Sequence, residues 1–229
     1  MNETVVIIPA RGGSKGIPRK NIKLFAGKPL IVHTIEHALN TPQVDAVYVS
    51  TDDSEIVSIA KRAGARTILR PTDISGDSAT SESAVRHFLD ILDLDDISPD
   101  LIVLMQATSP FRPVDALSKA IDHFILNRLD SLLTLSQTHH FFWTIDGDRA
   151  IPEYDYLNRP RRQDMDLKDI RYAENGSFYI FTHQLFNKTG NRLGGKIGYY
   201  LLPEKYSLQI DTELDFSLLE KTFLKNEDK

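Results

Sequence analysis

The strongest constraint on the fold is a regular alternation of short apolar runs with segments of helical periodicity over the first 136 residues. The apolar runs have the length of buried strands, and the segments between them repeat apolar residues at helical spacing. Strands that alternate with helices form right-handed crossovers, so the alternation predicts a mostly parallel sheet with helices on both faces. The predicted strands are Thr4–Pro9, Ala46–Ser50, Arg66–Leu69, Leu101–Met105 and Ser131–Leu135.

The predicted helices follow these strands. One begins at Pro29, and a second is capped by residues 52–54 and stops at Gly64. A third follows the polar loop 71–81. A fourth is expected to start at Pro113, with Leu117, Ile121, Phe124 and Ile125 facing inward.

The pattern breaks after Ser136. Residues 137–175 contain two adjacent histidines, the triplet Phe141-Phe142-Trp143 and the basic stretch NRPRRQ (158–163), with no helical period. A strand at 177–181, a strand at 197–202 and a final helix at 213–224 complete the prediction. We therefore expect one domain over residues 1–229, with 137–175 as an inserted lobe that packs on a partner. The adjacent histidines have no evident carboxylate partner and are not expected to bind metal.

Composition excludes several classes of protein. The chain has no cysteine, so disulfides and thiolate metal sites are ruled out, and its net charge of -5 argues against nucleic-acid binding. No apolar run approaches the roughly 20 residues of a membrane span, and no signal peptide is visible. We expect a cytoplasmic protein that binds neither membrane nor nucleic acid.

The loop PARGGSKGIPRKN (9–21) concentrates four cations and three glycines directly behind the first strand. Glycines allow a close approach of the backbone, and exposed amides with converging cations bind phosphate. The loop matches neither the P-loop motif nor the dinucleotide-binding fingerprint. The residues alone leave two interpretations, a phosphate-binding loop and a solvated connection.

Six segments occur in the order found in a known family: IIPARGGSKGIPRKNIKLFAGKPLI, VSTDD, LRPTDISGDSATS, LMQATSPFR, ENGSFYIF and QIDTELD. They resemble the CMP-N-acylneuraminate synthetases, also called acylneuraminate cytidylyltransferases, over nearly the whole chain. The resemblance implies a three-layer Rossmann-like nucleotidyltransferase fold with a small dimerisation lobe. It also implies transfer of CMP from CTP to the anomeric hydroxyl of an acidic nine-carbon keto-sugar, with release of pyrophosphate, by a homodimer.

The resemblance also assigns residues to the nucleotide. Arg11 and Lys20 would stabilise the triphosphate as charge develops on the leaving pyrophosphate, while Lys15 and Arg19 would at most add to the field. Arg70 is alternatively a surface ion pair, and Ser81 alternatively a helix N-cap. The implied nucleotide-binding residues are Ala10, Arg11, Lys20, Asn21, Arg70, Ser81 and Gln106.

The sugar carries a carboxylate and needs a second basic site. The implied sugar-binding residues are Gln106, Arg162, Gln163, Asn175 and Tyr179, with Arg161 as an alternative to Arg162. Many relatives have an arginine where this chain has Ala173, which leaves the contacts to the acyl or hydroxyl groups open.

The family often reads Asp-Ile-Asp where this chain reads Gln209-Ile210-Asp211. Residues two apart on a strand face the same way, so Gln209 and Asp211 are expected to bind one Mg²⁺. The resemblance also implies that Asp211 takes part in catalysis together with Arg11 and Lys20. Alternatively, Asp211 caps the final helix. N-acylneuraminate, legionaminate and pseudaminate are the expected substrates. A Kdo cytidylyltransferase and a silent nucleotide-sugar binder are the other readings, the first disfavoured by its different loop and the second favoured only by Gln209.

Overall fold

The computed structural model describes residues 3–14, 16–166 and 169–227; the loop cation Lys15 lies outside the described residues. The strands are β1 (Thr4–Pro9), β2 (Leu24–Phe25), β3 (Lys28–Pro29), β4 (Ala46–Thr51), β5 (Arg66–Leu69), β6 (Leu101–Met105), β7 (Ser131–Thr138), β8 (Trp143–Asp146), β9 (Arg149–Pro152), β10 (Arg171–Thr182) and β11 (Ile197–Leu201). The α-helices are α1 (Leu30–Leu39), α2 (Ser54–Arg62), α3 (Ser81–Leu94), α4 (Ala116–Leu126), α5 (His183–Thr189) and α6 (Glu213–Glu227). Short 3-10 helices cover Lys20–Ile22, Thr72–Ile74, Arg162–Asp164 and Glu204–Tyr206.

The central sheet has seven strands in the order β11-β7-β10-β6-β1-β4-β5. Every neighbouring pair is parallel except those that involve β10, which runs antiparallel to both β6 and β7. The predicted α/β fold with a mostly parallel sheet is thus confirmed. Within the described residues, no helix is both long enough and apolar enough to cross a membrane.

The two faces of the sheet bury separate layers of core. Alternate side chains of β1 point to opposite faces, with Val6 and Ile8 on one side and Val5 and Ile7 on the other, all fully buried. The first face packs against α1, α2 and α4, and the second against α3 and α5. A strand buried on both faces has to be apolar throughout, which explains the unbroken run at residues 5–8.

Two details of the predicted elements are wrong. The fourth helix begins at Ala116 after the N-cap Asp115, because Pro113 belongs to a preceding turn in which its carbonyl accepts the Ala116 amide. Ile125 is 49% exposed instead of inward-facing, because it lies on the solvent side of the helix that buries Leu117, Ile121 and Phe124.

The lobe at 137–175 is made of extended chain. β7 and β10 extend into the lobe as an antiparallel pair whose outermost partners are Thr138 and Arg171. β10 therefore begins well before the predicted residue 177. Between them the chain forms the β8–β9 hairpin, in which nearly every residue is exposed. Tyr154 packs its ring against Phe141 and Trp143. The described residues of the excursion therefore have aromatic contacts and no buried core of their own.

Candidate active site

A polar cleft opens at the carboxyl ends of β1 and β6, where ligands bind in sheets of this type. It consists of two adjoining depressions of about 460 and 390 Å³. Both depressions share the same central residues, which are Pro9, Arg11, Ser81, Gln106, Thr108 and Asp211. Lys20 and Asn21 line the first, and Arg70 and Gln209 line the second.

The opening loop is fixed to the sheet and to the segment before α6. The Ala10 amide donates to the Ser50 carbonyl at 2.9 Å, and the buried Asn21 side chain donates to the Arg11 carbonyl at 3.0 Å. The Lys20 ammonium donates to the Ile210 carbonyl at 2.6 Å and lies 3.2 Å from a carboxylate oxygen of Asp211. The ammonium group is thereby held at the wall of the cleft.

Two of the loop glycines are required by close contacts. The Gly12 amide donates to Asp52 Oδ1 at 2.9 Å, and a Cβ at Gly12 would lie 2.9 Å from the Cβ of Asp53. A Cβ at Gly16 would overlap the carbonyl oxygen of Asp211, whereas one at Gly13 would meet nothing. The loop therefore packs on its neighbours as folded structure and is more than a solvated connection.

The cations of this loop have different surroundings. Arg11 lines both depressions and reaches Asp77 at 2.7 Å, with a third of its side chain exposed. Arg19 has left-handed backbone geometry (φ 57) and pairs with Asp53 and Glu55. The Arg19 hydrogen bond is the main reason that the pKa of Asp53 lies below its usual value, and Asp53 in turn caps α2. Arg19 thus joins the loop to α2 by ion pairing.

Arg70 and Ser81 both line the second depression. Arg70 is buried, its Nε donates to Ser75 Oγ at 3.0 Å, and burial lowers its pKa. A surface ion pair for Arg70 is therefore wrong. The N-cap interpretation of Ser81 is also wrong, since Thr80 caps α3 by accepting the Ser83 amide at 3.1 Å. Nucleotide contacts by Ala10, Arg11, Lys20, Asn21, Arg70, Ser81 and Gln106 stay a prediction.

Gln106 lies where β6 and a bulge of β10 meet. The bulge falls between Glu174 and Tyr179, and Gly176 within it has a φ of +63. A Cβ at Gly176 would lie 3.2 Å from Gln106 Oε1 and 2.5 Å from Gln209 Nε2. The bulge therefore brings the backbone against the two glutamine side chains at the base of the cleft.

Gln209 and Asp211 both line the second depression, although the segment that carries them is not a strand. Ile210 between them is buried and its amide donates to the Thr108 carbonyl at 2.9 Å, which turns its neighbours to the cleft. Asp211 does not cap α6, because Thr212 and Asp215 form that cap reciprocally. Among the described residues, no group of three or more histidine, cysteine or acidic side chains could hold a metal.

Two of the predicted sugar-binding residues make internal contacts. Asn175 is buried, and its side chain donates to Ser136 Oγ at 2.8 Å. The Tyr179 hydroxyl donates to Glu174, and Arg192 stacks on its ring at 4.3 Å. Burial, followed by the Glu174 hydrogen bond, raises the pKa of Tyr179 to about 12. Neither residue lines the cleft as described, and their sugar contacts stay predictions.

Arg162 and Gln163 lie on the lobe and not in this cleft. Arg162 lines an open, basic and aromatic depression of about 680 Å³ together with Arg159 and Arg161. Arg159 stacks on Phe141 at 4.4 Å, and Arg161 pairs with Asp164. Within one chain, the structure therefore does not join the predicted carboxylate site to the predicted phosphate site.

Arg112 was missed by sequence reasoning, although it ends the family segment LMQATSPFR. Its guanidinium is buried and donates to Gln106 and Ser177 beside the cleft. The sequence signal that could have identified it is an arginine a few residues after a fully apolar strand. An arginine buried at such a place needs several fixed hydrogen-bond acceptors, which a functional site can supply.

Comparison with known proteins supports one family. A family model described as cytidylyltransferase matches residues 5–226. An N-acylneuraminate cytidylyltransferase of Oncorhynchus mykiss is 37% identical over 224 residues, which are 96% of this chain and 50% of the relative. A pseudaminic acid cytidylyltransferase of Campylobacter jejuni is 32% identical over 222 residues, which are 94% of each chain. The chain thus spans about half the length of the first of these relatives.

Solved structures agree on the fold. A CMP:2-keto-3-deoxy-manno-octonic acid synthetase complexed with CTP superposes with a TM-score of 0.72 at 16% identity, over 98% of this chain and 99% of that one. A 4-diphosphocytidyl-2C-methyl-D-erythritol synthase superposes with a TM-score of 0.69 at 10% identity, over 97% and 100% of the two chains. At such low identity these likenesses show the fold alone.

Proposed function

Because this chain belongs to the cytidylyltransferase family, we propose that it transfers CMP from CTP to the anomeric hydroxyl of a nonulosonic acid and releases pyrophosphate. The observation that carries the proposal is the convergence of Arg11, Lys20 and Asn21 with Asp211 in one cleft at the carboxyl ends of the strands. The names of the relatives supply the substrate class.

The charge of the cleft suits a triphosphate. Arg11 and Lys20 both line the cleft, and their ion pairs with Asp77 and Asp211 hold the two cations at its wall. During transfer the sugar oxygen bonds to the α-phosphorus, its proton is released, and the α–β phosphoanhydride bond breaks. The two cations stabilise the charge that the leaving pyrophosphate gains.

Mg²⁺ fits the oxygen donors of this site. Asp211 offers an exposed carboxylate, and Gln209 donates its amide nitrogen to the Asn175 carbonyl, which leaves the amide oxygen as its acceptor end. These two residues would hold the ion, with phosphate oxygens completing its shell. The ion would neutralise phosphate charge and align the triphosphate. Gln209 lacks the charge of an aspartate, so the nucleotide would supply most of the affinity.

We propose a homodimer in which the lobe of one protomer lies near the cleft of its partner. Support comes from the exposed apolar surface of the β8–β9 hairpin, including Trp143 and Ile145, and from the separation of Arg162 from the cleft within one chain. Arg162 would then grip the sugar carboxylate across the interface.

Pseudaminate is a second candidate for the sugar. The pseudaminic acid relative matches this chain over 94% of both lengths, whereas the N-acylneuraminate relative is about twice as long. Legionaminate remains an alternative of the same class, and a cytoplasmic location stays a prediction.

The test is pyrophosphate release from CTP and Mg²⁺ with N-acetylneuraminate, legionaminate, pseudaminate and Kdo in parallel reactions. Release with one nonulosonate that EDTA abolishes would support the reaction and identify the acceptor. Release with Kdo alone would reassign the substrate. CTP binding without release from any sugar would favour a silent nucleotide-sugar binder.

Mixing two impaired variants, assayed at a sugar concentration below the wild-type KM, tests the shared site. Lys20→Met removes the phosphate contact and Arg162→Ala removes the sugar contact. If the lobe serves the partner, hybrid dimers contain one site with both defects and one intact site, and activity returns on mixing. If activity at this sugar concentration stays low after subunit exchange, verified by mass spectrometry, both residues belong to one site per chain.

A further inference from the structure

Arg112 is the most completely buried cation of the described chain, and it lies directly behind the cleft. Its Nε donates to Ser177 Oγ at 2.8 Å, and one terminal nitrogen donates to Thr34 Oγ1 at 3.1 Å. The other terminal nitrogen donates to the carbonyls of Gln106 at 2.7 Å and Ser177 at 2.9 Å. All three nitrogens are thus engaged, and none of these acceptors is a carboxylate.

The acceptors belong to three different elements. Gln106 follows β6, Ser177 lies in the bulge of β10, and Thr34 is on α1. The backbone amide of Gln106 also donates to the Ser177 carbonyl at 3.3 Å. The guanidinium therefore binds both strands beside the hydrogen bond that joins them at this point. The planar fork of arginine can satisfy such a set of acceptors, and the single ammonium of lysine cannot.

A buried cation without a counter-ion is unfavourable, and burial lowers the pKa of Arg112 to about 9. An apolar side chain would fill the space without that cost, but it would leave the carbonyls of Gln106 and Ser177 without this donor. The carbonyl of Gln106 belongs to the residue whose side chain faces the cleft beside Gly176 and Gln209. The guanidinium therefore holds the backbone from which that side chain extends, while Thr108 Oγ1 donates to its Oε1 at 3.4 Å.

We propose that Arg112 is a positioning residue, which orients the Gln106 side chain and the 176–177 bulge so that the acceptor sugar and the α-phosphate are aligned for transfer. The proposal rests on the function proposed above. Arg112 acts through Gln106 and touches no substrate itself.

The test compares wild type with Arg112→Lys, which keeps the charge and loses the fork. We expect kcat to fall about 10-fold to 100-fold, since small misalignments have effects of that size. The KM for CTP should stay within about threefold, because the phosphate contacts are untouched. The matched control is Phe181→Leu, a core change on the second face of the sheet, which should lower the melting temperature and leave kcat unchanged.

The coupling to Gln106 gives a readout that a purely structural role would not produce. In a Gln106→Ala background, Arg112→Lys should reduce kcat much less than it does in wild type, because one of the two groups that it positions is already missing. Effects that multiply, or an Arg112→Lys enzyme that matches Phe181→Leu in kcat at equal melting temperature, would overturn the proposal. If Arg112→Lys does not fold, Thr34→Val and Ser177→Ala each remove one acceptor and should lower kcat several-fold.

An NMR measurement separates this proposal from the proposed function. The side-chain amide of Gln106, identified by its loss in Gln106→Ala, should shift or broaden in Arg112→Lys and stay unchanged in Phe181→Leu. An unchanged resonance in Arg112→Lys rejects the positioning role. No turnover by wild type with any sugar rejects the proposed function, and the resonance still decides the role of Arg112.

Discussion

The cleft and the lobe of this chain differ in how much of their surface is buried and anchored. The cleft is formed by loops that pack on a sheet buried on both faces, and even its cations are anchored, as Lys20 is on the Ile210 carbonyl. The lobe consists of two extended strand ends, an exposed hairpin and the loop that follows it. Ile145 of the hairpin is 69% exposed, and Leu157 of the loop is 77% exposed. The cleft holds polar groups against a buried apolar sheet, whereas the lobe exposes apolar groups around a basic depression.

The difference concerns how far each region is held together by contacts within one chain. In the cleft, the carbonyls of Ile210, Arg11 and Gln106 accept hydrogen bonds from side chains of the same chain, which anchors the loops that form the site. Exposure of the apolar side chains of the lobe to water is unfavourable, and their burial in an interface would lower the free energy. Under the proposed function, the lobe of a second chain would complete a sugar site that draws on both regions.

Removal of the Lys20 charge should have the largest effect. Lys20→Met should lower kcat about 10²-fold to 10³-fold, because a donor aimed at developing charge is lost from the cleft. Lys28→Met is the matched control, since Lys28 forms a surface ion pair with Glu36, and it should leave kcat unchanged. Steady-state pyrophosphate release measures both. Equal turnover in the two variants would mean that the cleft is not the phosphate site.

Arg162→Ala should separate the lobe from the cleft. The KM for the sugar should rise about 10-fold to 100-fold, as expected for a lost hydrogen bond between charged groups, while CTP affinity measured by calorimetry stays unchanged. Arg149→Ala, on the exposed hairpin of the same lobe, should change neither quantity. A parallel loss of CTP affinity in Arg162→Ala would contradict the division of labour between the two regions.

Gly16→Ala should show how tightly the cleft is packed. A Cβ there overlaps the Asp211 carbonyl, so we expect a loss of about 1–3 kcal/mol in the free energy of unfolding, together with reduced activity. Gly13→Ala, in the same loop, has open space and should be nearly neutral. Urea unfolding of the two variants measures the difference. A stable, active Gly16→Ala protein would show that the loop moves freely.

The buried His37 should make the free energy of unfolding decrease in acid. Burial and, to a smaller extent, the charge of Arg112 lower its pKa from 6.5 to about 3. Below pH 6.5 the unfolded chain binds a proton that the folded chain does not, so stability falls as the pH drops from 6.5 toward 3. The loss between pH 7.5 and pH 5 should reach at most about 2 kcal/mol.

Urea unfolding at pH 7.5 and pH 5 checks this expectation. His37→Gln should flatten the dependence, and His123→Gln, an exposed position on α4, should leave it as in wild type. Equal slopes in wild type and His37→Gln would show that the imidazole is protonated in the folded chain.

Much of the fold could be predicted because its signals are local. The strand at Thr4–Pro9 and the strand at Leu101–Met105 have the predicted bounds, since an apolar run buried on both faces leaves few alternatives. Helix ends were less certain. Pro113 is compatible with both a first helical turn and the turn that precedes it, and only the packing of α4 selects the second.

The site divides in the same way. The alternation of strands and helices, the family motifs and the cationic loop could be predicted, because they depend on residue type and spacing along the chain. The partners of these residues follow from the folded chain: Arg19 pairs with Asp53, Asn175 and Tyr179 make internal contacts, and Arg112 donates to the Gln106 carbonyl. Such contacts join residues far apart in sequence, and a charge or amide acquires its role from the groups that burial places around it.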